Sequence, residues 1–338
     1  MGRFCVNHNR LNSGAKEGGE DLNGPISKMN KLPSSFQNWR DPIEKTINKT
    51  LQTNFDKREA NQIIKYMFRT GGKRCRPLLV VLSTEALGGD PGKALEAAAA
   101  VEIIHAATLV FDDLIDKDQV RRGAPTIHMA FSNEKALTSG LFLASKGVQL
   151  LSNYKDPEIM RMIGTTLVDI SKGELLDILG DFNASVSECV AIADLKTASL
   201  FGTAAGIGAV IAGADGRDLV GMQKFGRSSG MAFQVQDDIL DFTDGSDEPM
   251  LKAPNIVTSH CLHEAPRSIS NSKLLESNGN ATNRQVLRIL KKAGSMEFAK
   301  TKAKEYAGAA KDALDKVKRL EKRKILDDYA DYLWRRTE

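Results

Sequence analysis

The sequence predicts an all-α protein, and two patterns support that prediction. From about Ser35 onward, apolar residues recur at the spacing of amphipathic helices, and the strict alternation typical of strands is scarce. Segments rich in Gly and Asn interrupt this pattern near 153–156, 213–217, 244–255 and 276–283. Since no repeat of fixed length is present, we expect a single large helical domain over residues 36–338.

Residues 1–35 differ from the rest of the chain in composition. They are rich in Gly, Asn, Ser and Lys and carry little apolar periodicity, so we expect a disordered tail. They lack the apolar core of a secretion signal and contain acidic residues, unlike a transit peptide. No uninterrupted apolar run reaches the ~18 residues of a membrane span. We therefore expect a cytoplasmic protein without a transmembrane segment.

Composition narrows the function further. The chain has 338 residues, of which 41% are apolar and 27% charged, as is typical of globular proteins. Its four cysteines are scattered without CxxC spacing, which indicates a reducing compartment and argues against a disulfide framework or structural zinc. The net charge of +4 is too small to indicate nucleic-acid binding.

The predicted helices can be taken in chain order. The first well-marked helix starts at Asp90-Pro91, an N-cap followed by proline at the first helical position, and it runs into the cluster DDLID at 112–116. The following segments also have helical periodicity: 160–179, 192–212, 219–242 and 296–326. The helix over 219–242 carries a second cluster, DDILD at 237–241.

The two DDxxD clusters predict a metal site. Positions i and i+4 share a helix face, so Asp112 and Asp116 point the same way, as do Asp237 and Asp241. Like charges stacked within apolar helices need a cation, and paired carboxylates suit Mg²⁺, whose shell is usually completed by waters and substrate phosphates. A solvated acidic face would explain one such cluster, but two favour the metal site.

The first acidic helix also carries a stripe that suits a ligand with a charged head and an apolar tail. His105 lies seven residues before Asp112 and eleven before Asp116, which places the three near one line along the helix. Apolar or small residues lie on or near the same line: Val101, Ile104 and Thr108. A hydrogen-bonded core histidine is the plainer alternative for His105.

Basic segments supply the complementary charge. The segment GGKRCRP at 71–77 places three cations before an apolar helix, Arg121-Arg122 follows the first cluster, and Lys196-Thr197 lies within an apolar helix. Gln234 precedes the second cluster by three residues. A single basic pair is ordinarily a solvated surface, but cations together with paired carboxylates indicate phosphates shared with metal ions.

With these motifs in order, the chain resembles the trans-isoprenyl diphosphate synthases (polyprenyl synthetases), head-to-tail prenyltransferases that include geranylgeranyl and longer-chain enzymes. The matching segments are GGKRCRP at 71–77, HAATLVFDDLIDKDQVRRGAPTIH at 105–128, KTASLFG at 196–202, GMAFQVQDDILDFT at 230–243 and GSMEFAKTKAKEYA at 294–307. The resemblance covers about 38–338. It implies an isoprenoid-synthase helical bundle around a deep central cavity, with the acidic motifs facing each other, and a homodimer.

The resemblance also implies roles for individual residues. Asp112, Asp116 and Asp237 hold Mg²⁺, with three ions as the family's usual number, and with Asp241 and Lys196 they form the catalytic set. The isopentenyl diphosphate site is matched by Lys73, Arg76, His105 and Arg122. The allylic diphosphate site is matched by Arg121, Lys196, Thr197 and Gln234. The implied reaction joins the two substrates into a polyprenyl diphosphate, and the resemblance allows transient membrane contact when the product leaves.

The resemblance also predicts the product length, and it shows one segment in which this sequence differs from the family. In the family, bulky residues four and five positions before the first cluster stop the growing chain. Thr108 and Ala107 are small, so we expect about twenty to thirty-five carbons, with a cavity floor on the line through Thr108 and Ile104. After Asp241 the family's Gly-Lys and Asp-Leu elements are missing, and Lys252 is the candidate equivalent lysine.

Three alternatives stay open at this point. A terpene cyclase or head-to-head synthase would share the fold and the metal motifs, although the segments at 71–77 and 121–123 serve a second diphosphate substrate. A noncatalytic regulatory subunit of a heteromeric synthase is compatible with the altered segment at 244–256. A metal-binding helical scaffold without a substrate is the third.

Overall fold

The structure is a computed structural model that describes residues 34–52, 55–69, 71–181, 183–242, 254–264 and 283–336. Nearly all of the predicted tail, and Lys252, therefore lie outside the described residues. The α-helices are α1 Ser34–Thr50, α2 Arg58–Arg69, α3 Cys75–Ala86, α4 Leu95–Ile115, α5 Ile127–Ala130, α6 Asn133–Leu151, α7 Pro157–Leu179, α8 Val186–Ala193, α9 Ser199–Ile211, α10 Gly216–Leu240, α11 Ile256–His263, α12 Asn283–Lys292, α13 Ser295–Leu314 and α14 Arg323–Arg335. A two-residue hairpin, β1 Val120–Arg121 and β2 Ala124–Pro125, joins α4 to α5. The all-α prediction is confirmed.

The core of the bundle lies around α9, which packs against α3, α7 and α10. Nearly every residue of α3 and α9 is buried, as expected for helices that are apolar on all sides. Two glycines of α10 allow it to approach α9 closely. A Cβ at Gly226 would lie 2.3 Å from the carbonyl oxygen of Phe201, and one at Gly230 would lie 2.7 Å from the Cα of Ala198.

The start of the first acidic helix is as the sequence predicts. The Asp90 side chain accepts a hydrogen bond from the Gly92 amide at 2.9 Å, and Pro91 opens a 3₁₀ turn that continues into α4. An N-cap carboxylate satisfies an amide that has no partner within the helix. The fixed start carries α4 into the first DDxxD cluster, and α4 ends at Ile115.

Two predicted helices differ from the structure. The helix predicted over 192–212 contains a π-helical segment, Asp194–Ala198, between α8 and α9, and this segment carries Lys196 and Thr197. Such segments occur often at functional sites, because the wider turn re-aims side chains.

The helix predicted over 296–326 is interrupted between α13 and α14. The backbone amides of Lys318 and Arg319 donate to the Asp218 carboxylate at 2.9 and 3.2 Å, and the amide of Glu321 donates to the carbonyl of Ala86 at 2.8 Å. These tertiary hydrogen bonds replace helical ones in a segment dense in like charges, where i,i+4 repulsion weakens a helix.

Two helical stretches of the described chain are long and apolar enough to cross a membrane by length and composition, Pro91–Ile115 and Val186–Ile211. Most of each is buried within the bundle, 67% and 61% of the apolar window respectively. Burial of this kind is typical of central helices in a helical core, and both stretches contribute residues to the cavity described next.

Candidate active site

A cavity of about 740 Å³ lies between α3, α4, α7, α9 and α10, and the β1–β2 hairpin closes one side. It collects most of the residues singled out from the sequence. The predicted residues that line it are Lys73, Arg76, His105, Thr108, Asp112, Arg121, Arg122, Lys196, Thr197, Gln234 and Asp237. The two acidic helices thus meet the basic segments around a single space. Asp116 and Asp241 lie at the C-caps of α4 and α10, one turn beyond the aspartates that line the cavity.

Within the first acidic cluster Asp113 is buried, Asp112 is half-buried and Asp116 is exposed. Burial raises the pKa of Asp112 to about 7; the charge of Lys196 opposes the shift, and those of Glu174 and Asp116 add to it. Partial desolvation also raises the pKa of Asp116, although its side chain is exposed. Carboxylates that are costly to ionise in the free protein have the most to gain from a cation, so this end of the cavity favours a positively charged ligand.

Glu174 and Asp177 of α7 are site residues that the sequence analysis missed. Both carboxylates bind the Lys196 ammonium, at 2.7 and 2.6 Å. Burial lowers the pKa of Lys196, but the hydrogen bonds from Asp177 and Glu174, with the charge of Asp112, raise it above its ordinary value overall. The sequence feature that could have indicated them is a pair of carboxylates three residues apart in an apolar helix.

The second acidic cluster faces the cavity through Asp237. Arg336 donates to Asp237 Oδ1 at 2.7 Å, and Lys73 Nζ lies 4.0 Å from the same oxygen. The guanidinium of Arg336 lies 3.8 Å from the centroid of the Phe233 ring and is almost fully buried. Arg336 could not be predicted as a site residue, because nothing local in the pair Arg335-Arg336 distinguishes it from a solvated basic pair.

The segment at 71–77 turns sharply into α3 and fixes the basic end of the cavity. Arg74 has a positive φ of 51°, and its guanidinium binds Glu44 and Glu102, each at 2.6 Å. The Arg76 guanidinium lies 3.0 Å from His105 Nε2 and 4.6 Å from the Phe201 ring centroid. The buried Glu102 and the half-buried Glu44 therefore hold the turn that presents Lys73 and Arg76 to the cavity.

His105 is neutral in this environment. Burial lowers its pKa well below the ordinary value, and the charge of Arg76 lowers it further. The neutral ring therefore accepts a hydrogen bond from Arg76 through Nε2. His105 thus sits among the cations of the basic end without adding a charge to them.

The hairpin supplies the other two arginines predicted from the sequence, and Arg40 of α1 also lines the cavity. Its two-residue turn, Arg122-Gly123, has positive φ at both positions, 51° and 75°, as the tight turn between paired strands requires. Arg121 Nε donates to Asp113 Oδ1 at 2.5 Å, and Arg122 donates to the carbonyl of Gly71. The turn thereby places two guanidinium groups beside the segment at 71–77.

The predicted chain-length residues lie at different depths. Thr108 lines the cavity, and its hydroxyl donates to the His105 carbonyl at 2.9 Å. Ala107 and Ile104 are buried, and Ile104 lies against Gly147 of α6, where a Cβ would come within 2.4 Å of it. The apolar side chains that line the same cavity, called its apolar wall below, are Leu109, Ile170, Leu200 and Phe233.

Sequence comparisons with known proteins find one family and its members. The sequence model of the family described as Polyprenyl synthetase matches residues 57–307. A geranylfarnesyl diphosphate synthase of Natronomonas pharaonis is 31% identical over 304 residues, which cover 81% of this chain and 89% of that relative.

Solved structures share the architecture. A geranylgeranyl pyrophosphate synthetase from the archaeon Geoglobus acetivorans superposes with a TM-score of 0.80 at 30% identity, covering 89% of this chain and 99% of that chain. A polyprenyl synthase from Caulobacter crescentus CB15, solved with calcium and isoprenyl diphosphate, superposes with a TM-score of 0.78 at 26% identity, covering 89% and 96%. These matches confirm the isoprenoid-synthase helical bundle predicted from the motifs. With a family model that matches most of the chain and a relative 31% identical over 81% of it, the chain belongs to the polyprenyl synthetase family.

Proposed function

We propose that this protein condenses isopentenyl diphosphate with an allylic diphosphate, head to tail, to give a polyprenyl diphosphate of about twenty to thirty-five carbons. One observation carries the proposal: a single cavity is lined both by carboxylates and cations and by large apolar side chains. A substrate with a diphosphate head and an isoprenoid tail matches both parts. Relatives that make geranylgeranyl and geranylfarnesyl chains support the lower part of the length range.

Two groups of cations would hold the two diphosphates. Lys73, Arg76 and Arg122 form one group around the neutral His105, which suits isopentenyl diphosphate. Arg121 and Lys196, with the neutral groups of Thr197 and Gln234, form the other near the first acidic cluster. Arginine and lysine donors aimed at the departing diphosphate stabilise the charge that develops as the allylic C–O bond breaks.

The apolar wall protects the intermediate. When the allylic C–O bond ionises, the double bond of isopentenyl diphosphate attacks the carbocation, a new C–C bond forms, and one proton is lost. Water would capture the cation, so Leu109, Ile170, Leu200 and Phe233 serve to exclude it. His105 already accepts from Arg76, so we assign the released diphosphate as the proton acceptor.

Magnesium is part of the proposal. Asp112, Asp116 and Asp237 would hold the ions, three per site as in the family, and Mg²⁺ would supply positive charge to the departing diphosphate. Within the described residues, no group of three or more acidic, His or Cys side chains could hold a metal unaided. This fits Mg²⁺, which ordinarily binds through one or two carboxylates plus substrate phosphates. The raised pKa of Asp112 also indicates a carboxylate whose ionised form a bound cation would stabilise.

We further propose a homodimer in the cytoplasm. Large apolar side chains are exposed on neighbouring helices, namely Leu137 and Leu141 of α6 and Val168, Leu175 and Leu179 of α7. A second copy of this chain would cover them. Leu141→Glu and Leu175→Glu should each halve the mass measured by light scattering, whereas Val220→Glu, exposed on α10, should not. A monomeric wild-type protein would contradict this part. The cysteines of the described chain are free, which supports a reducing compartment.

One assay tests the main proposal. Purified protein is incubated with Mg²⁺, labelled isopentenyl diphosphate and allylic primers of increasing length, and the products are resolved by chain length. We expect condensation only when both substrates and Mg²⁺ are present. Product from the allylic substrate alone would indicate a cyclase. No product from any primer, with restored activity on adding a catalytic partner subunit, would indicate the regulatory subunit.

A further inference from the structure

The middle aspartate of each DDxxD cluster is turned away from the cavity. Asp112 and Asp237 line it, but Asp113 and Asp238 do not, and these two are only 2% and 8% exposed. Consecutive residues of a helix point about 100° apart, so adjacent aspartates cannot both face one ligand. A buried carboxylate is costly unless it is well hydrogen-bonded, so each middle aspartate needs a structural reason.

Asp113 holds an arginine of the cavity wall. Its Oδ1 accepts from Arg121 Nε at 2.5 Å, and Asp118 Oδ2 lies 3.9 Å from Arg121 Nη2. A guanidinium carries five N–H donors in a rigid plane, so a bond at Nε fixes the direction of the others. Arg121 lines the cavity while its Nε is held from behind by a buried carboxylate.

Asp238 holds a glutamine in the same manner. Its Oδ1 accepts from Gln234 Nε2 at 2.9 Å, and its Oδ2 accepts from the Ile256 amide at the start of α11 at 3.2 Å. With both Asp238 oxygens accepting from N–H groups, it is the Nε2 end of the Gln234 amide that faces this carboxylate. Gln234 Oε1 must then point the other way, where it accepts from the Thr197 hydroxyl at 2.7 Å.

In both clusters a buried middle aspartate thus accepts a hydrogen bond from a residue that lines the cavity. We propose that the middle aspartates are positioning residues: Asp113 orients Arg121 and Asp238 orients Gln234 for the allylic diphosphate, and neither holds a metal ion. The inference rests on the proposed function, because the allylic diphosphate is the ligand assigned to Arg121 and Gln234. It separates the roles of neighbouring aspartates that the DDxxD pattern alone makes equivalent.

The test measures binding without turnover. Farnesyl thiolodiphosphate, an unreactive allylic analogue, is titrated by calorimetry into the wild-type protein and into Asp113→Asn and Asp238→Asn in saturating Mg²⁺. Each variant should bind the analogue roughly tenfold more weakly, the size expected for one lost charge-assisted hydrogen bond. The Mg²⁺ concentration for half-saturation, measured at saturating analogue, should not change. The matched control, Asp237→Asn, should raise that concentration.

Double-mutant cycles identify the partner through which each aspartate acts. Adding Asp113→Asn to Arg121→Ala, or Asp238→Asn to Gln234→Ala, should weaken analogue binding no further, because the side chain to be positioned is already gone. Additive losses, or a shift in Mg²⁺ dependence like that of Asp237→Asn, would overturn the inference.

Folding and the underlying function are controlled separately. If Asp238→Asn does not fold, Gln234→Met tests the contact from the other side, and unchanged analogue binding by that variant defeats the inference. For Asp113 the corresponding variant is Arg121→Lys, which cannot make the same planar contact. Unchanged analogue binding by that variant would also defeat the inference. Failure of the wild-type protein to bind the analogue would instead defeat the proposed function itself.

Discussion

Replacing Asp112 with Asn should stabilise the protein in the absence of metal while it removes activity. Burial raises the pKa of Asp112 from 3.8 to about 7, although Lys196 opposes the shift. A carboxyl with a higher pKa in the folded chain than in the unfolded chain binds more protons when folded. Its contribution therefore turns unfavourable as the pH rises from about 4 through 7. An amide at this position cannot ionise and escapes that cost.

The magnitude follows from the shift. The change from 3.8 to about 7 corresponds to at most about 4 kcal/mol, at ~1.36 kcal/mol for each pKa unit. Asp112 is only partly buried and shares its protons with acidic neighbours, so we expect about 2 kcal/mol above pH 7. With an unfolding entropy of ~2.1 cal/mol/K per residue, this is a rise of about 3 °C in the melting temperature of a chain this long.

The assay is thermal unfolding in EDTA at pH 4.5 and pH 8. The wild-type protein and Asp112→Asn should melt at nearly the same temperature at pH 4.5, and the variant should melt higher at pH 8. Asp41→Asn, at an exposed position on α1, serves as the control and should change neither value. Adding Mg²⁺ with inorganic diphosphate should then stabilise the wild-type protein more than Asp112→Asn. A variant no more stable than the wild type at pH 8, or equally stabilised at both pH values, would refute the burial argument.

Three further outcomes follow from the cavity. Asp237→Asn should lower turnover on the order of 10²-fold or more in the condensation assay, about 3 kcal/mol of transition-state stabilisation, and near-normal turnover would contradict its metal role. Arg76→Ala should raise the Michaelis constant for isopentenyl diphosphate far more than that for the primer, because its guanidinium lies at the basic end beside His105; equal effects would count against two separate diphosphate sites. Thr108→Phe should shorten the main product by at least one five-carbon unit, since Thr108 borders the cavity and packed interiors leave no room for an added ring, and an unchanged product profile would place the tail elsewhere.

Many of the candidate site residues could be predicted from the sequence because the patterns that indicate them are local. The i,i+4 spacing of Asp112 and Asp116 depends only on helix geometry, as does the N-cap at Asp90. The basic segment at 71–77 could be assigned to a helix start for the same reason. These features need only the few residues around them, and the structure has them where the periodicity predicts.

Ion pairs and hydrogen bonds between residues far apart in the sequence could not be predicted from such local patterns. Arg336 binds Asp237 from 99 positions away along the chain, and Lys196 binds Asp177 from α7. The break before α14 depends on amides captured by Asp218, about 100 residues earlier. Nothing in the local sequence distinguishes these charges from solvated ones.

The sequence alone determined that the chain is helical and which helix faces carry carboxylates, because backbone hydrogen bonding and side-chain periodicity act over a few residues. Only the tertiary structure decided which aspartates face the cavity and which are buried against Arg121 and Gln234. The physical reason is desolvation. A charged side chain taken out of water must find a specific partner, and close packing of helices far apart in sequence determines which partner is within reach.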